Sequence, residues 1–224
     1  MLKSARWGGL GAVLSGVIWV ILTPLMATIG FCQGVCPSWL DKPLIIRTLG
    51  PWLAGQGLLT WASGEALYFA YGRFFFLVYL GIMAGVVGIH IRARRGQSTD
   101  FARQPYRLLL GALSIAALGD FFSYGVGVVS EMAWRIGFMV EVLSWLGIVA
   151  GSVLYGLALL RARSLPPWMA VLLILGGLLM PVMFLDRGLI MYMPNAQTLP
   201  LIVAWTILGL SLMVAERPRS TLAS

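Results

Sequence analysis

The 224-residue chain is 59% hydrophobic and only 11% charged, whereas a soluble domain carries about 25% charged residues. Its mean hydropathy of +0.89 and its long apolar runs place it among integral membrane proteins. The formal net charge of +8 does not indicate nucleic-acid binding. The basic residues cluster at the ends of apolar runs, where such clusters set the orientation of a membrane protein.

Six apolar stretches are long enough to cross a bilayer, which takes roughly 20 residues per helix. In chain order they are residues 8–30, 71–91, 106–128, 137–160, 166–185 and 199–214. If both termini and the two basic links are inside, eleven of the 16 Lys and Arg residues are cytoplasmic and five are outside. The sequence therefore predicts an all-α fold, a polytopic integral membrane bundle of six transmembrane helices with both termini cytoplasmic, in a single domain covering residues 1–224.

The first stretch also suits a cleaved signal peptide, because Lys3 and Arg6 precede an apolar run. That run, residues 8–30, is long for the core of a signal peptide. We therefore expect a retained helix.

The predicted first outer loop, residues 31–70, contains a further apolar segment at residues 44–64. A seventh span at this place would invert every later helix and put the basic sequence RARR outside. We therefore expect an interfacial or re-entrant helix in this loop, with Gly50-Pro51 as its break or its start.

One internal similarity relates the second and fourth spans. The sequence YLGIMAGVV, residues 79–87, resembles WLGIVAGSV, residues 145–153, and the same offset carries Asp120 onto Asp186. Duplication of a helical hairpin explains both matches. Chance also explains them, since Gly, Ala and Leu are common in packed membrane helices.

Asp120 interrupts the third span, in the segment SIAALGDFFSYG. It lies roughly 20 Å into a hydrocarbon layer of about 30 Å. A carboxylate facing lipid at depth costs on the order of 2.5–3.5 kcal/mol, so Asp120 should face protein or water. In such a place Asp120 either pairs with an arginine or stays protonated. An ion pair with an arginine can be purely structural, whereas ionisable residues inside a membrane commonly serve a function.

Other polar residues fall at a similar depth. On the fourth span, Glu141, Ser144, Ile148, Ser152 and Tyr155 follow at spacings of three and four, which defines one helix face. We expect an outward-facing polar pocket between the third, fourth and fifth spans. Its predicted ligand-binding residues are Asp120, Glu141, Ser123, Tyr124 and Ser144, with Arg135 or Arg187 as counter-charge.

No cofactor or metal is expected, because the chain has no P-loop, Rossmann or HExxH motif. Cys32 and Cys36 favour a structural disulfide or free thiols, since a thiol relay needs a second pair and a metal site needs more ligands. His90 fits an interfacial histidine better than a haem ligand.

We therefore expect a protein that lies in the cell membrane, specifically a bacterial inner membrane. We expect it to bind or transport a small amphiphilic or cationic molecule. Its partners are then the lipid bilayer and a lipophilic small molecule, and not nucleic acid. Two alternatives stay open. One is a membrane enzyme that uses Asp120 or Glu141 as a general acid on a lipid-soluble substrate. The other is a non-catalytic subunit of a membrane complex, forming homo- or hetero-oligomers through Gly and Ala helix faces.

Overall fold

The computed structural model describes residues 2–32, 38, 42, 44–94, 100–185 and 198–214. These residues are 88% helical and include no strand, so the all-α part of the prediction is confirmed. The helices are α1 Leu2–Cys32, α2 Leu44–Gly55, α3 Gly64–Gly72, α4 Phe76–Ala93, α5 Asp100–Asp120 with a π-helical turn at Phe121–Val126, α6 Glu131–Ala162, α7 Pro167–Leu185 and α8 Leu199–Val214.

Among these described residues, four helical stretches are long and apolar enough to cross a membrane: Ser4–Gly30, Gly64–Ala93, Ala102–Val126 and Glu131–Ala162. The fifth and sixth predicted spans correspond to shorter apolar helices, Pro167–Val182 and Leu199–Val214. The structure thus supports a membrane protein with several apolar helices. The number six and the side on which the termini lie stay predictions.

The surface of the bundle is apolar around its circumference. Large hydrophobic side chains are widely exposed, for example Val129 at 81%, Leu146 at 71% and Val20 at 62%. Soluble monomers rarely expose apolar patches of more than a few hundred Å². A belt of this kind is compatible with lipid as the surrounding solvent.

Within the described residues, four long helices and the two shorter ones form a closed antiparallel ring in the order α1, α4, α5, α6, α7, α8. Each of them packs mainly on its two neighbours in the ring, and α8 closes the ring on α1. Small residues allow close approach at the seams: a Cβ on Gly8 of α1 would lie 2.8 Å from the Cα of Gly88 in α4. As a result, α1 begins and α8 ends at the same end of the ring.

Several helices begin before the apolar runs that predicted them, and for α3 and α6 the structure shows the reason. α3 starts at Gly64, inside the predicted outer loop, and α6 starts at Glu131. In each case the preceding serine accepts a hydrogen bond, at 3.3 Å, from the N–H of the residue three positions later. An N-cap of this kind satisfies a donor at the helix start and fixes where the helix begins.

α2 is the helix that was predicted in the first outer loop. Its 12 residues span about 18 Å, which is too short to cross a bilayer. Leu53 of α2 is buried with Leu25 and Ile29 of α1. α2 therefore packs where α1 ends, and this end of the ring is called the α2 end below. Its depth in a membrane stays a prediction.

Candidate functional site

Two carboxylic side chains are buried together inside the ring. Asp120 at the end of α5 is 1% exposed and Glu141 on α6 is 4% exposed, and the two interact electrostatically. The helix backbones touch beside them: a Cβ on Gly119 would lie 2.7 Å from the backbone nitrogen of Glu141 and 2.8 Å from the carbonyl oxygen of Gly137. This contact between glycines brings Asp120 and Glu141, called the carboxylate pair below, into one site.

The carboxylate pair has no basic partner among the residues that the structure describes. Asp120 accepts a hydrogen bond from the backbone N–H of Phe76. Its second oxygen, Oδ2, has no hydrogen-bond partner within the same residues. Uncompensated negative charge is unfavourable in an apolar interior, so a proton or a bound cation has to accompany the pair.

Glu141 is held by a chain of two hydrogen bonds. The Tyr79 hydroxyl donates to Glu141 Oε1 at 2.7 Å, and Trp145 Nε1–H donates to the Tyr79 oxygen at 3.2 Å. Tyr79 and Trp145 are the first residues of the two similar segments noted in the sequence. The two segments therefore meet at Glu141, although this contact fits both duplication and chance.

A small cavity of about 10 Å³ adjoins Glu141, which is room for about one water molecule. Three aromatic side chains, Trp19, Phe75 and Tyr79, form its wall together with Glu141. The other lining residues are Val78, Ile82, Thr198, Leu201 and Ile202. Aromatic faces and a carboxylate around a small space favour a cation.

A pair of tyrosines lies between the carboxylate pair and the α2 end. The hydroxyls of Tyr68 and Tyr124 are 3.2 Å apart, and both side chains interact electrostatically with the carboxylate pair. Tyr124 belongs to the π turn that directly follows Asp120. Turns of this type occur frequently at functional sites.

A depression of about 490 Å³ opens at the α2 end, beyond the tyrosines. Tyr68 and the exposed Glu65 are among its lining residues. The depression is lined by residues of α1 and of the start of α3, whereas the predicted pocket lies between the third, fourth and fifth spans and stays a prediction. The carboxylate pair lies beneath the depression, closed off by Tyr68 and Tyr124, because the π turn and α3 pack over it.

The structure brings some of the predicted site residues to this region. Ser123 and Tyr124 are buried in the π turn, where Ser123 Oγ donates to the Trp134 carbonyl at 3.4 Å. Ser144 is buried one turn from Glu141, and its hydroxyl donates to the Glu141 carbonyl. The Ser144 hydroxyl therefore has its hydrogen-bond acceptor in the backbone of its own helix.

Other predicted residues are not brought there. Arg135 pairs with Glu131 at 2.6 Å on the surface of α6, where the two side chains are 70% and 74% exposed. It is therefore not the counter-charge of the carboxylate pair. Arg187 lies outside the described residues. Cys32 is disulfide-bonded. Cys36, the other cysteine of the chain, lies outside the described residues, as Arg187 does.

The sequence analysis missed the aromatic residues of the site. Tyr79, Trp19 and Phe75 each lie in an apolar run and resemble the many aromatic residues that fill or flank membrane helices. No spacing distinguishes them, because the cavity beside Glu141 joins helices that are distant in the chain.

Comparison of the chain with protein-family models, with curated proteins and with solved structures gives no match. The fold and the site therefore define the class. In the part of the chain that the structure describes, the protein is an all-helical bundle with four helices suited to cross a membrane, and a carboxylate pair is buried within it.

Replacing Tyr79 by Phe should destabilise the protein by about 1–3 kcal/mol, because buried Glu141 loses its hydroxyl donor and Trp145 loses this acceptor. Denaturant titration of the purified protein measures the change. Tyr106→Phe is the matched control, since the Tyr106 hydroxyl makes no hydrogen bond within the described residues and its ring stacks on His90 with centroids 3.8 Å apart. Equal effects of the two substitutions would contradict the hydrogen-bond chain.

Proposed function

We propose that the protein is a multi-pass membrane carrier that binds a small monovalent cation, the proton included, at the carboxylate pair. The observation that carries this proposal is the burial of Asp120 and Glu141 together, without Lys or Arg in ion-pair contact among the described residues, beside a cavity walled by aromatic rings. Ionisable residues inside membrane proteins commonly mark ion or substrate pathways.

A cation in the cavity meets complementary chemistry. Glu141 offers a negative charge, and Tyr79 fixes its orientation through the hydrogen bond to Oε1. The side chains of Trp19 and Phe75 line the cavity, and an aromatic face turned to a desolvated cation contributes about 2 kcal/mol or more. Bound in this way, the cation compensates the charge that the fold leaves without a partner.

The route to the site leads from the α2 end. Glu65 places a negative charge in the depression there, and such charges raise the local concentration of cations. The hydroxyls of Tyr68 and Tyr124 then separate the depression from the carboxylate pair. We propose that this tyrosine pair is the gate on that side.

On the side of the carboxylate pair that faces away from the α2 end, apolar side chains fill the interior of the ring. Ile82, Leu113 and Ile148 are each 0% exposed and belong to one buried cluster. A cation cannot pass this layer without rearrangement of the helices, so the packing favours a carrier that changes conformation over an open pore. The cavity admits only a group of about the size of water, which gives less support to an enzyme acting there on a large substrate.

We further propose that α7 and α8 also cross the bilayer, giving six spans with both termini cytoplasmic in a bacterial inner membrane. The ring supports this arrangement, because α7 and α8 occupy places in it equivalent to those of the longer helices. The excess of Lys and Arg at the end where the chain begins and ends supports the orientation.

Cation flux into proteoliposomes tests the proposal. One series follows a pH-sensitive dye inside the vesicles, and a second follows radioactive sodium, so that protons and sodium are distinguished. The wild type should carry at least one of the two, and Glu141→Gln should lower that rate by at least about tenfold.

Glu131→Gln is the matched control, because Glu131 lies on the same helix but is exposed and paired with Arg135. It should keep the wild-type rate within about twofold, as expected for a surface pair. No flux of either cation by the folded wild type, or an unchanged rate in Glu141→Gln, would overturn the proposal.

A further inference from the structure

A groove of about 380 Å³ runs between α1 and α8 on the outside of the ring. Val17, Val20 and Val203 are 48%, 62% and 47% exposed along it. The polar Thr206 turns its hydroxyl back to the Ile202 carbonyl at 2.7 Å. The groove therefore offers hydrocarbon contacts. Since it lies near the middle of the span Ser4–Gly30, the surrounding solvent is acyl chains.

The groove and the cavity beside Glu141 share a wall. Trp19 and Ile202 line both of them. Trp19 is 4% exposed, and its indole N–H donates to Thr198 Oγ1 at 2.9 Å, just before α8 begins. The Trp19 ring and the Ile202 side chain thus separate the lipid side from the cavity beside the Glu141 carboxylate.

We propose that the protein binds a long-chain primary amine, with its hydrocarbon chain in the α1–α8 groove and its ammonium head in the cavity beside Glu141. The proposal rests on the proposed function, because the ammonium head takes the place of the small cation. The ligand is then a cationic amphiphile that enters sideways from the bilayer, whereas the small cation enters through the depression at the α2 end.

The size and chemistry of both spaces select this ligand. An –NH₃⁺ group has about the size of water and fits a cavity of about 10 Å³. It donates hydrogen bonds to Glu141, and its charge faces the rings of Trp19, Phe75 and Tyr79. A trimethylammonium head is too large for this cavity, and an acid head is repelled by Glu141. Entry requires the Trp19 ring to turn away from Thr198, which opens the shared wall.

Photolabelling with a diazirine-bearing hexadecylamine tests the inference, in full-length protein reconstituted in nanodiscs. Mass spectrometry then locates the label. We expect labelling concentrated on residues 16–21 and 199–207, and about tenfold less of it for Val203→Phe, which fills the groove and removes contacts with several methylene groups. The matched control is Val171→Phe on α7, where the valine is 42% exposed outside the groove.

A diazirine-bearing palmitic acid is the headgroup control and should label the groove no more than other lipid-facing segments. Glu141→Gln should reduce labelling by the amine probe and leave labelling by the acid probe unchanged. Uniform labelling of all helices by the amine, equal labelling by amine and acid, or full labelling of Val203→Phe would overturn the inference. Val171→Phe should keep wild-type cation flux. Normal flux with uniform labelling thus removes only this inference, whereas absent flux removes the proposed function.

Discussion

Asp120→Asn is expected to weaken cation binding by about 10- to 150-fold, because a charge-assisted contact contributes about 1.5–3 kcal/mol. The fold should persist, since Asn keeps an oxygen for the N–H of Phe76 and its other polar atom occupies the position of Oδ2, which has no partner among the described atoms. The free energy of unfolding should stay the same or rise, as is common when a functional charge is removed from a buried site. Isothermal titration with methylammonium chloride measures the affinity, and denaturant titration measures the stability.

The opposite pattern would indicate a structural ion pair. Removing one partner of a buried salt bridge costs about 3–5 kcal/mol, so Asp120→Asn would then unfold easily. Glu131→Gln controls for the loss of a carboxylate on the surface. Strong destabilisation in Asp120→Asn, together with unchanged methylammonium affinity, would contradict the functional interpretation of Asp120.

The second large effect is expected from Gly119→Ala. The new methyl group would meet the backbone of α6 at 2.7–2.8 Å, and backbone atoms yield only if the helix moves. Overpacking of this kind costs about 1–3 kcal/mol. It also moves Asp120 away from Glu141, so both the stability and the affinity for methylammonium should fall. Denaturant titration and isothermal titration measure the two effects.

Gly111→Ala is the matched control on the same helix, because among the described residues no side chain and no backbone of another helix lies within 4 Å of a Cβ at Gly111. Alanine is favoured over glycine in a helix by up to about 1 kcal/mol. This variant should therefore be as stable as the wild type or more stable. Similar losses in Gly119→Ala and Gly111→Ala would show that the contact between α5 and α6 does not hold the site together.

Run length and composition were sufficient to predict the helical class and the long helices, because an apolar run that suits lipid also forms a helix there. The starts of α3 and α6 were placed too late. The apolar runs begin later than the helices, whereas Ser63 and Ser130 cap the true starts. Reading the capping residues as well as hydropathy would have located both.

Part of the site followed from depth alone. Asp120 and Glu141 were placed at similar levels by counting residues, and both are buried on facing helices. The proposed counter-charge was not found at Arg135, because Glu131 lies four residues away on the same helix and pairs with it locally. That spacing was visible in the sequence. The contact of Tyr79 with Glu141 and the π turn after Asp120 were not, since both depend on how distant helices pack.

The central claim is that Asp120 and Glu141 together bind a cation inside the ring. Infrared difference spectroscopy, recorded as methylammonium chloride is exchanged for a cation-free buffer of the same pH, reports directly on carboxyl groups. The account predicts a carboxyl difference band in the wild type that disappears in Asp120→Asn and in Glu141→Gln and persists in Glu131→Gln. A wild-type spectrum without a carboxyl band, or a band that both substitutions at the pair leave unchanged, would contradict it.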